Sequence, residues 1–354
     1  MNLPEKNIID IPIHFIFCTE RTGSSMLATM LNISDEVLCA SEELFTLYFS
    51  RKYEHKSKWT INDIIKFTDD FFLLLENSPD LYFTNKETLL NTLILHRENL
   101  NFQLLIRLIY MHFIDVKNKG KVKVIIDKQI KFLFHLKKVK SIFPHAKIIL
   151  LTRDIRSNAF SKSKRKINGK ENLIFHAGTW NETYKNFGEL IQLYPNQTLL
   201  VKYEDLVLQP ENTLQRVCNF IKVSYDPKML NFKEYFKEFL SIKNNKNTEQ
   251  KISSIKSFHE STLSELDQKK IDSWRSNLKK KTAMKISTIG YETGLKLGYN
   301  FNEPYGLTQL EAEDLKYLSQ SKRLTTQLFN FYLSMPLKLK ILIKRCKCKL
   351  NFTD

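Results

Sequence analysis

The sequence predicts an α/β fold in which a parallel β-sheet is flanked by helices. Short apolar runs rich in β-formers stand at 13–19 (IHFIFCT), 122–127 (VKVIID) and 147–152 (KIILLT). Each is apolar almost throughout, the mark of a strand buried on both faces. Helical patterns separate them, and strand-helix-strand alternation is the signature of parallel pairing.

Taken in order, 13–19 leads through a tight turn into a helix from about Ser24, apolar at Met26, Leu27, Met30 and Leu31. Residues 60–116 then carry apolar side chains at helical spacing, including Phe71, Phe72, Leu75, Leu100, Leu104, Leu105 and Leu108. Two or three helices are expected there, within a helical insertion over 46–119. They form either a cap over the sheet's carboxyl edge or long crossover helices. A helix over 131–143 ends at Pro144, and a fourth strand is expected at 197–203 (QTLLVKY). Beyond Tyr203 the chain reads as mostly helical, with a polar lysine-rich loop at 241–257. No internal repeat is visible.

Length and composition bound the function. A chain of 354 residues with 42% hydrophobic and 12% aromatic content can bury a full core. The net charge of +17 predicts an anionic partner, whether nucleic acid, a phosphorylated cofactor or an anionic membrane. A lysine- and asparagine-rich composition of the kind AT-rich genes encode accounts for part of that charge. Five scattered cysteines, an odd number without zinc-finger spacing, point to a reducing compartment, and a cytoplasmic protein is expected. The first fifteen residues hold no apolar run of signal-peptide length. No stretch is long and apolar enough for a membrane span.

The last segment differs from the rest. From Leu315 to Thr353 there are nine Lys or Arg and no acidic residue. Within it, 335–350 (MPLKLKILIKRCKCKL) mixes basic and apolar residues, as an amphipathic helix on anionic lipid does. A basic helix packed on the body with a solvated face fits equally well. Acylation at Cys346 and Cys348 is a weaker expectation.

Two stretches carry chemistry. Gly23, the only glycine in the first 119 residues, stands between a strand and a helix in Arg21-Thr22-Gly23-Ser24-Ser25. First-turn amides lack intrahelical partners and the helix dipole favours negative charge, so such a turn is a ready anion site. Glycine lets backbone come close; Thr22, Ser24 and Ser25 bring hydroxyls and Arg21 a planar charged fork. The loop is P-loop-like without being a Walker A loop, which needs an earlier glycine and a lysine after the last one. A Rossmann G-x-G-x-x-G is absent as well. A helix N-cap with spare hydroxyls would also give this pattern.

The second stretch, 143–166 (FPHAKIILLTRDIRSNAFSKSKRK), runs from a strand into Arg153 and then a helix carrying Ser161. Arg153 stands at the carboxyl end of a strand, where parallel sheets bind ligands. Lys162, Lys164, Arg165 and Lys166 add positive field, although ordinary helix-surface charge explains them too.

Together these stretches resemble the sulfotransferases that use 3′-phosphoadenosine-5′-phosphosulfate (PAPS). RTGSSML (21–27) is similar to the loop that holds the 5′-phosphosulfate, in the style of carbohydrate sulfotransferases. The 143–161 stretch resembles the 3′-phosphate segment, with Arg153 and Ser161 at its Arg and Ser positions. DKQIKF (127–132), LLVKYEDLVLQPENTLQRVCNFI (199–221) and IDSWRSNL (271–278) resemble further segments in family order. The likeness covers roughly 13–45 and 120–280, and implies a sulfotransferase domain over 1–300 followed by a basic helical extension over 301–354.

What the resemblance implies is specific. Arg21, Thr22, Gly23, Ser24 and Ser25 would hold the 5′-phosphosulfate; Arg153 and Ser161 would hold the 3′-phosphate. Lys128 would contact sulfuryl oxygens. In CASEELF (39–45), Glu43 would be the general base, with Glu42 as the alternative. The acceptor would be a carbohydrate or glycolipid hydroxyl, and the scheme calls for no metal. Tyr203, Glu204 and Asp205 would tie the last strand to its helix. The Arg-Lys-Gly loop of the cytosolic family members is missing before Trp274, with Lys269 or Lys270 as substitutes. The competing expectations are a P-loop-like small-molecule kinase using ATP, and a nucleic-acid-binding module. The missing lysine counts against the first, and the absence of a recognition-helix or base-stacking motif against the second.

Overall fold

The computed structural model describes residues 8–41, 45–75, 86–112, 121–130, 135–165, 172–185, 187–244, 266–301, 304 and 306–350. Its centre is a five-stranded sheet: β1 (Ile13–Phe17), β2 (Val37–Ser41), β3 (Val124–Gln129), β4 (Ile148–Thr152) and β5 (Thr198–Lys202). The order across the sheet is β2-β3-β1-β4-β5. All four neighbouring pairs are parallel, with Phe15 opposite both Asp127 and Ile148. The predicted α/β class with a parallel sheet is therefore present.

β2 is the strand the sequence did not reveal. It is only five residues long, reads Val-Leu-Cys-Ala-Ser, and pairs on one side alone, so it needs little β-propensity to form. β3 lies two residues further on than expected, because polar Asp127, Lys128 and Gln129 continue the strand. All three are buried, and Asp127 accepts hydrogen bonds from the Tyr110 hydroxyl at 2.6 Å and the Gln129 amide at 2.8 Å. Satisfied this way, polar groups cost little inside.

Helices fill both faces. Between β1 and β2 lies α1 (Ser24–Asn32); between β2 and β3 lie α2 (Phe45–Tyr53), α3 (Ile61–Leu75), α4 (Lys86–Leu95) and α5 (Phe102–Met111). Next come α6 (Leu136–Ile142), α7 (Ile155–Lys164), α8 (Leu173–Tyr184) and α9 (Phe187–Leu193). After β5 follow α10 (Tyr203–Leu208), α11 (Pro210–Ile221), α12 (Phe232–Asn244), α13 (Ser273–Asn277), α14 (Lys280–Ile289) and α15 (Tyr291–Lys296). Two more close the chain, α16 (Gln309–Ser334) and α17 (Leu337–Leu350).

The pleat sorts the core into two layers. Phe15, Phe17, Ile125, Ile148 and Leu150 face α2, α3, α5 and α8. Ile16, Val124, Ile126, Ile149 and Leu151 face α1, α10 and α11. Helices α2 to α5 thus cover a face of the sheet, as crossover helices do. Their apolar stripes are too large to leave off the core: Phe45, Phe49, Phe67 and Phe71 interlock with rings 5.0–5.9 Å apart.

The chain leaves β1 for one side of the sheet and later returns to the other. The carboxyl end of β1, between β3 and β4, is where the crossovers diverge. In open parallel sheets this switch point is the crevice that binds ligands.

A phosphate-type site at the carboxyl end of the sheet

The loop after β1 is shaped by two left-handed residues, Arg21 at φ 65° and Gly23 at φ 83°. Left-handed backbone is rare for a side chain as bulky as arginine, and such strain collects at functional turns. Gly23 is the N-cap of α1 and no side chain caps that helix end, so its first amides are open to a ligand. The reason for glycine is sharper than close approach to a ligand. A Cβ here would stand 2.6 Å from Cδ2 of Tyr203, whose ring packs against the loop. Thr22 is wholly buried and its hydroxyl donates to the Thr19 carbonyl at 2.8 Å, so that donor is spent inside the loop. Ser24 is buried and Ser25 half-buried at the first turn of α1.

Residues far apart in sequence converge on this loop. Arg21 Nε donates to Ser161 Oγ at 3.1 Å, and Arg153 Nη1 donates to the Arg21 carbonyl at 3.2 Å. Arg153 Nη2 donates to the Lys270 carbonyl at 2.5 Å. Its guanidinium carbon lies 4.3 Å from the centroid of the Tyr203 ring, a cation–π contact. One tyrosine therefore buttresses both the loop and the second arginine, beyond tying β5 to α10. Glu204 does the tying: it accepts from the Asp154 amide at 2.9 Å and from the Tyr299 hydroxyl at 3.1 Å. Burial raises the Glu204 carboxyl above its ordinary value.

The electrostatics suit an anion with several oxygens. Arg153 is 6% exposed, its Nε is buried without a hydrogen-bond partner, and among the described residues it has no ion pair. Its two carbonyl partners leave the charge itself uncompensated, and a buried guanidinium without a counter-charge is costly, which suits an anion arriving with a ligand. Burial, and then the nearby Arg165 and Arg153, bring Arg21 down to about 10. Three guanidiniums crowd together where a phosphate group would relieve their repulsion. The residues present fit a nucleotide carrying a phosphate at this position.

A support under the loop went unseen in the sequence. Lys162, which the sequence leaves between positive field at the site and ordinary helix-surface charge, is 1% exposed, donates to Thr19 Oγ1 at 2.6 Å and pairs with Glu20 at 3.0 Å. Burial alone would raise the Glu20 carboxyl; the Lys162 ammonium overrides this and takes it down to about 2. Asn158 donates to the Glu20 carbonyl at 2.8 Å, and the Tyr184 hydroxyl accepts from the Thr19 amide at 3.1 Å. Trp180 Nε1 donates to the Arg153 carbonyl at 2.9 Å. The usable signal was a carboxylate, Glu20, directly before an anion loop: such a charge needs a cation of its own.

The other predicted residues fall as follows. Lys128 is 1% exposed, in register with Ile16 of β1 and Ser41 of β2 near the carboxyl edge. It is no solvated lysine. Glu43 and its alternative Glu42 lie outside the described residues. The 271–278 segment docks on α7, where Arg156 stacks on Trp274 at 4.1 Å and Ser157 donates to the Ile271 carbonyl. No group of three His, Cys, Asp or Glu suited to a metal occurs among the described residues.

Residues 12–227 match the model of the sulfotransferase family. The chain belongs to that family. The chain is similar to a putative protein-tyrosine sulfotransferase of Caenorhabditis briggsae, 28% identical over 171 residues, 44% of this chain and 56% of the relative. It is also similar to protein-tyrosine sulfotransferase 1 of Danio rerio, 25% identical over 229 residues, 64% of this chain and 57% of the relative. The chain spans somewhat more than half the length of these curated relatives. Among solved structures it shares the fold of the sulfotransferase domain from the Synechococcus PCC 7002 olefin synthase. There the TM-score is 0.53 at 18% identity, covering 82% of this chain and 96% of that one.

Proposed function

We propose that the protein transfers a sulfuryl group from PAPS to a hydroxyl acceptor. The single observation that carries this is Arg153, buried with an unpartnered Nε and hydrogen-bonded to the carbonyl of loop residue Arg21. A second phosphate-type site joined to the loop fits a nucleotide with both 5′ and 3′ phosphates better than ATP. The family match tells against the kinase reading as well.

PAPS supplies the activated sulfuryl group and, through its 3′-phosphate, a handle for binding. The amides at the start of α1, with Ser24 and Ser25, hold the 5′-phosphosulfate; Arg153 and Ser161 hold the 3′-phosphate. Arg21 reaches between the two, which its contact with Ser161 supports. Lys128 neutralises charge at the sulfuryl oxygens, and Glu43 takes the acceptor's hydroxyl proton. Catalysis on this scheme is positioning plus electrostatic stabilisation, as in phosphoryl transfer.

Two acceptor classes have support. The RTGSS loop and a glutamate base favour a carbohydrate or glycolipid hydroxyl. The relatives' names favour the phenol of a peptide tyrosine. Incubation with labelled PAPS and a panel of glycans, glycolipids and tyrosyl peptides tests both. Label on any of them supports sulfuryl transfer and names the class. No label on any acceptor, together with ATP binding in preference to PAPS, would overturn the proposal.

A further inference from the structure

We infer that the C-terminal helix pair, α16 and α17, docks the protein on an anionic lipid surface. Each helix carries two apolar stripes where a helix lying on a protein needs one. The inner stripes are spent on the fold. Leu318 is buried and its side chain fills the space beside Gly178 of α8, while Tyr332 packs edge-on against Tyr48 of α2 at 5.8 Å. In α17, Leu337 and Ile341 are buried, and the Lys340 ammonium donates to the Tyr48 carbonyl at 2.9 Å.

The outer stripes have no such role. Leu324, Leu328 and Phe331, spaced i, i+4, i+7 on one face of α16, are 56, 59 and 62% exposed. Leu339 and Leu342 on α17 are 47 and 54% exposed. The inner face of α16 packs on α8 and α2 and that of α17 on α2 and α3, and these five side chains stand on the exposed sides.

Charge chooses the occupant. No acidic residue lies between Leu315 and Thr353, against nine basic ones. Arg323 and Lys338 stand exposed beside the stripe. Asp69 and Asp70 of α3, against which α17 packs, are paired with Lys86 and with Lys52 and Lys66. A second copy would bring the same cations against this face and repel it. Nucleic acid would meet the cations but leave five large apolar side chains in water. Anionic lipid satisfies both, with acyl chains for the stripe and headgroup charge for the lysines and arginines. Lys340 takes no part in this, because it is buried. No described helix is long and apolar enough to cross a membrane, so the contact is peripheral.

Co-sedimentation of the full-length protein with vesicles tests this. Vesicles of phosphatidylcholine mixed with phosphatidylglycerol should bind it, and phosphatidylcholine alone should bind it about tenfold less or worse. Leu328→Ser with Phe331→Ser should weaken binding to the mixed vesicles on the order of tenfold or more. Arg323→Glu with Lys338→Glu, surface changes that leave every buried contact in place, should weaken it similarly, and added salt should mimic that loss. Equal sedimentation with both vesicle types, or of both variants with wild type, would overturn the inference. So would a doubled mass in analytical ultracentrifugation that Leu328→Ser with Phe331→Ser returns to monomer, since the stripe would then belong to a second copy.

Discussion

Arg21 and Ser161, 140 positions apart, meet in a 3.1 Å hydrogen bond from guanidinium Nε to hydroxyl oxygen. That bond joins the loop after β1 to the second turn of α7, and Arg153 adds another through the Arg21 carbonyl. The two phosphate-type sites are therefore a single structure. Arg21, the residue they share, stands at a positive φ of 65°.

Arg153→Ala should reduce affinity for adenosine 3′,5′-bisphosphate by about 10- to 100-fold, the range for losing charge-assisted hydrogen bonds. Affinity for adenosine 5′-monophosphate, which lacks the 3′-phosphate, should change little. Ser161→Ala should cost several-fold on the first ligand alone. Titration calorimetry on the three proteins measures this. Equal losses on both nucleotides would move Arg153 away from the 3′-phosphate.

Gly23→Ala should destabilise the fold as well as the site. A left-handed φ costs an L-residue about 1–2 kcal/mol, and the new Cβ would stand 2.6 Å from the Tyr203 ring. Because that ring also carries Arg153 at 4.3 Å, moving it disturbs the second site. Denaturant unfolding should show a loss of at least about 2 kcal/mol. An unchanged midpoint would mean that the ring yields without cost.

The Glu20–Lys162 pair sets an acid limit. With its carboxyl held at about 2, against an ordinary 4.5, Glu20 binds protons less readily folded than unfolded. Its contribution is present above about pH 4.5 and lost as the pH falls toward 2. Glu20→Gln should therefore be less stable than wild type at neutral pH by about 1–2 kcal/mol, since the carboxylate is partly exposed and screened. The two proteins should converge below pH 3. Parallel pH–stability curves would show that the pair carries no net stability.

The strands that could be read from the sequence are those with runs of β-forming apolar residues, IHFIF, IILLT and the apolar start of VIIDKQ at the centre and TLLVK at one edge. β2, at the other edge, hid because Cys39, Ala40 and Ser41 carry little β-propensity, although Val37 to Ala40 are buried. The site was legible where chemistry dictates residue type. A glycine in a hydroxyl-rich turn and an arginine ending a strand both announce an anion. Tyr203 and Lys162 were not legible, since their roles come from packing across the fold. Tyr203 looks like any strand-end aromatic until Gly23 is placed under it, and Lys162 sits among Lys164 and Arg165 as if on a surface. Only the pairing with Glu20 distinguishes it.

The proton acceptor can be located by turnover. Glu43 follows β2 by two residues, and β2 ends at Ser41, in register with Lys128 on β3. The end of β2 stands at the same sheet edge as the loop after β1, with β3 between β2 and β1. Removing a general base costs catalysis typically about 100- to 10,000-fold while leaving donor binding intact. Glu43→Gln should thus lower kcat by that order with affinity for adenosine 3′,5′-bisphosphate unchanged, and the acidic limb of the pH–rate profile should disappear. Glu42→Gln should leave kcat within a few-fold of wild type. If the two variants exchange these behaviours, the base is Glu42. If neither lowers kcat, the proton leaves by another route and the glutamates serve the fold alone.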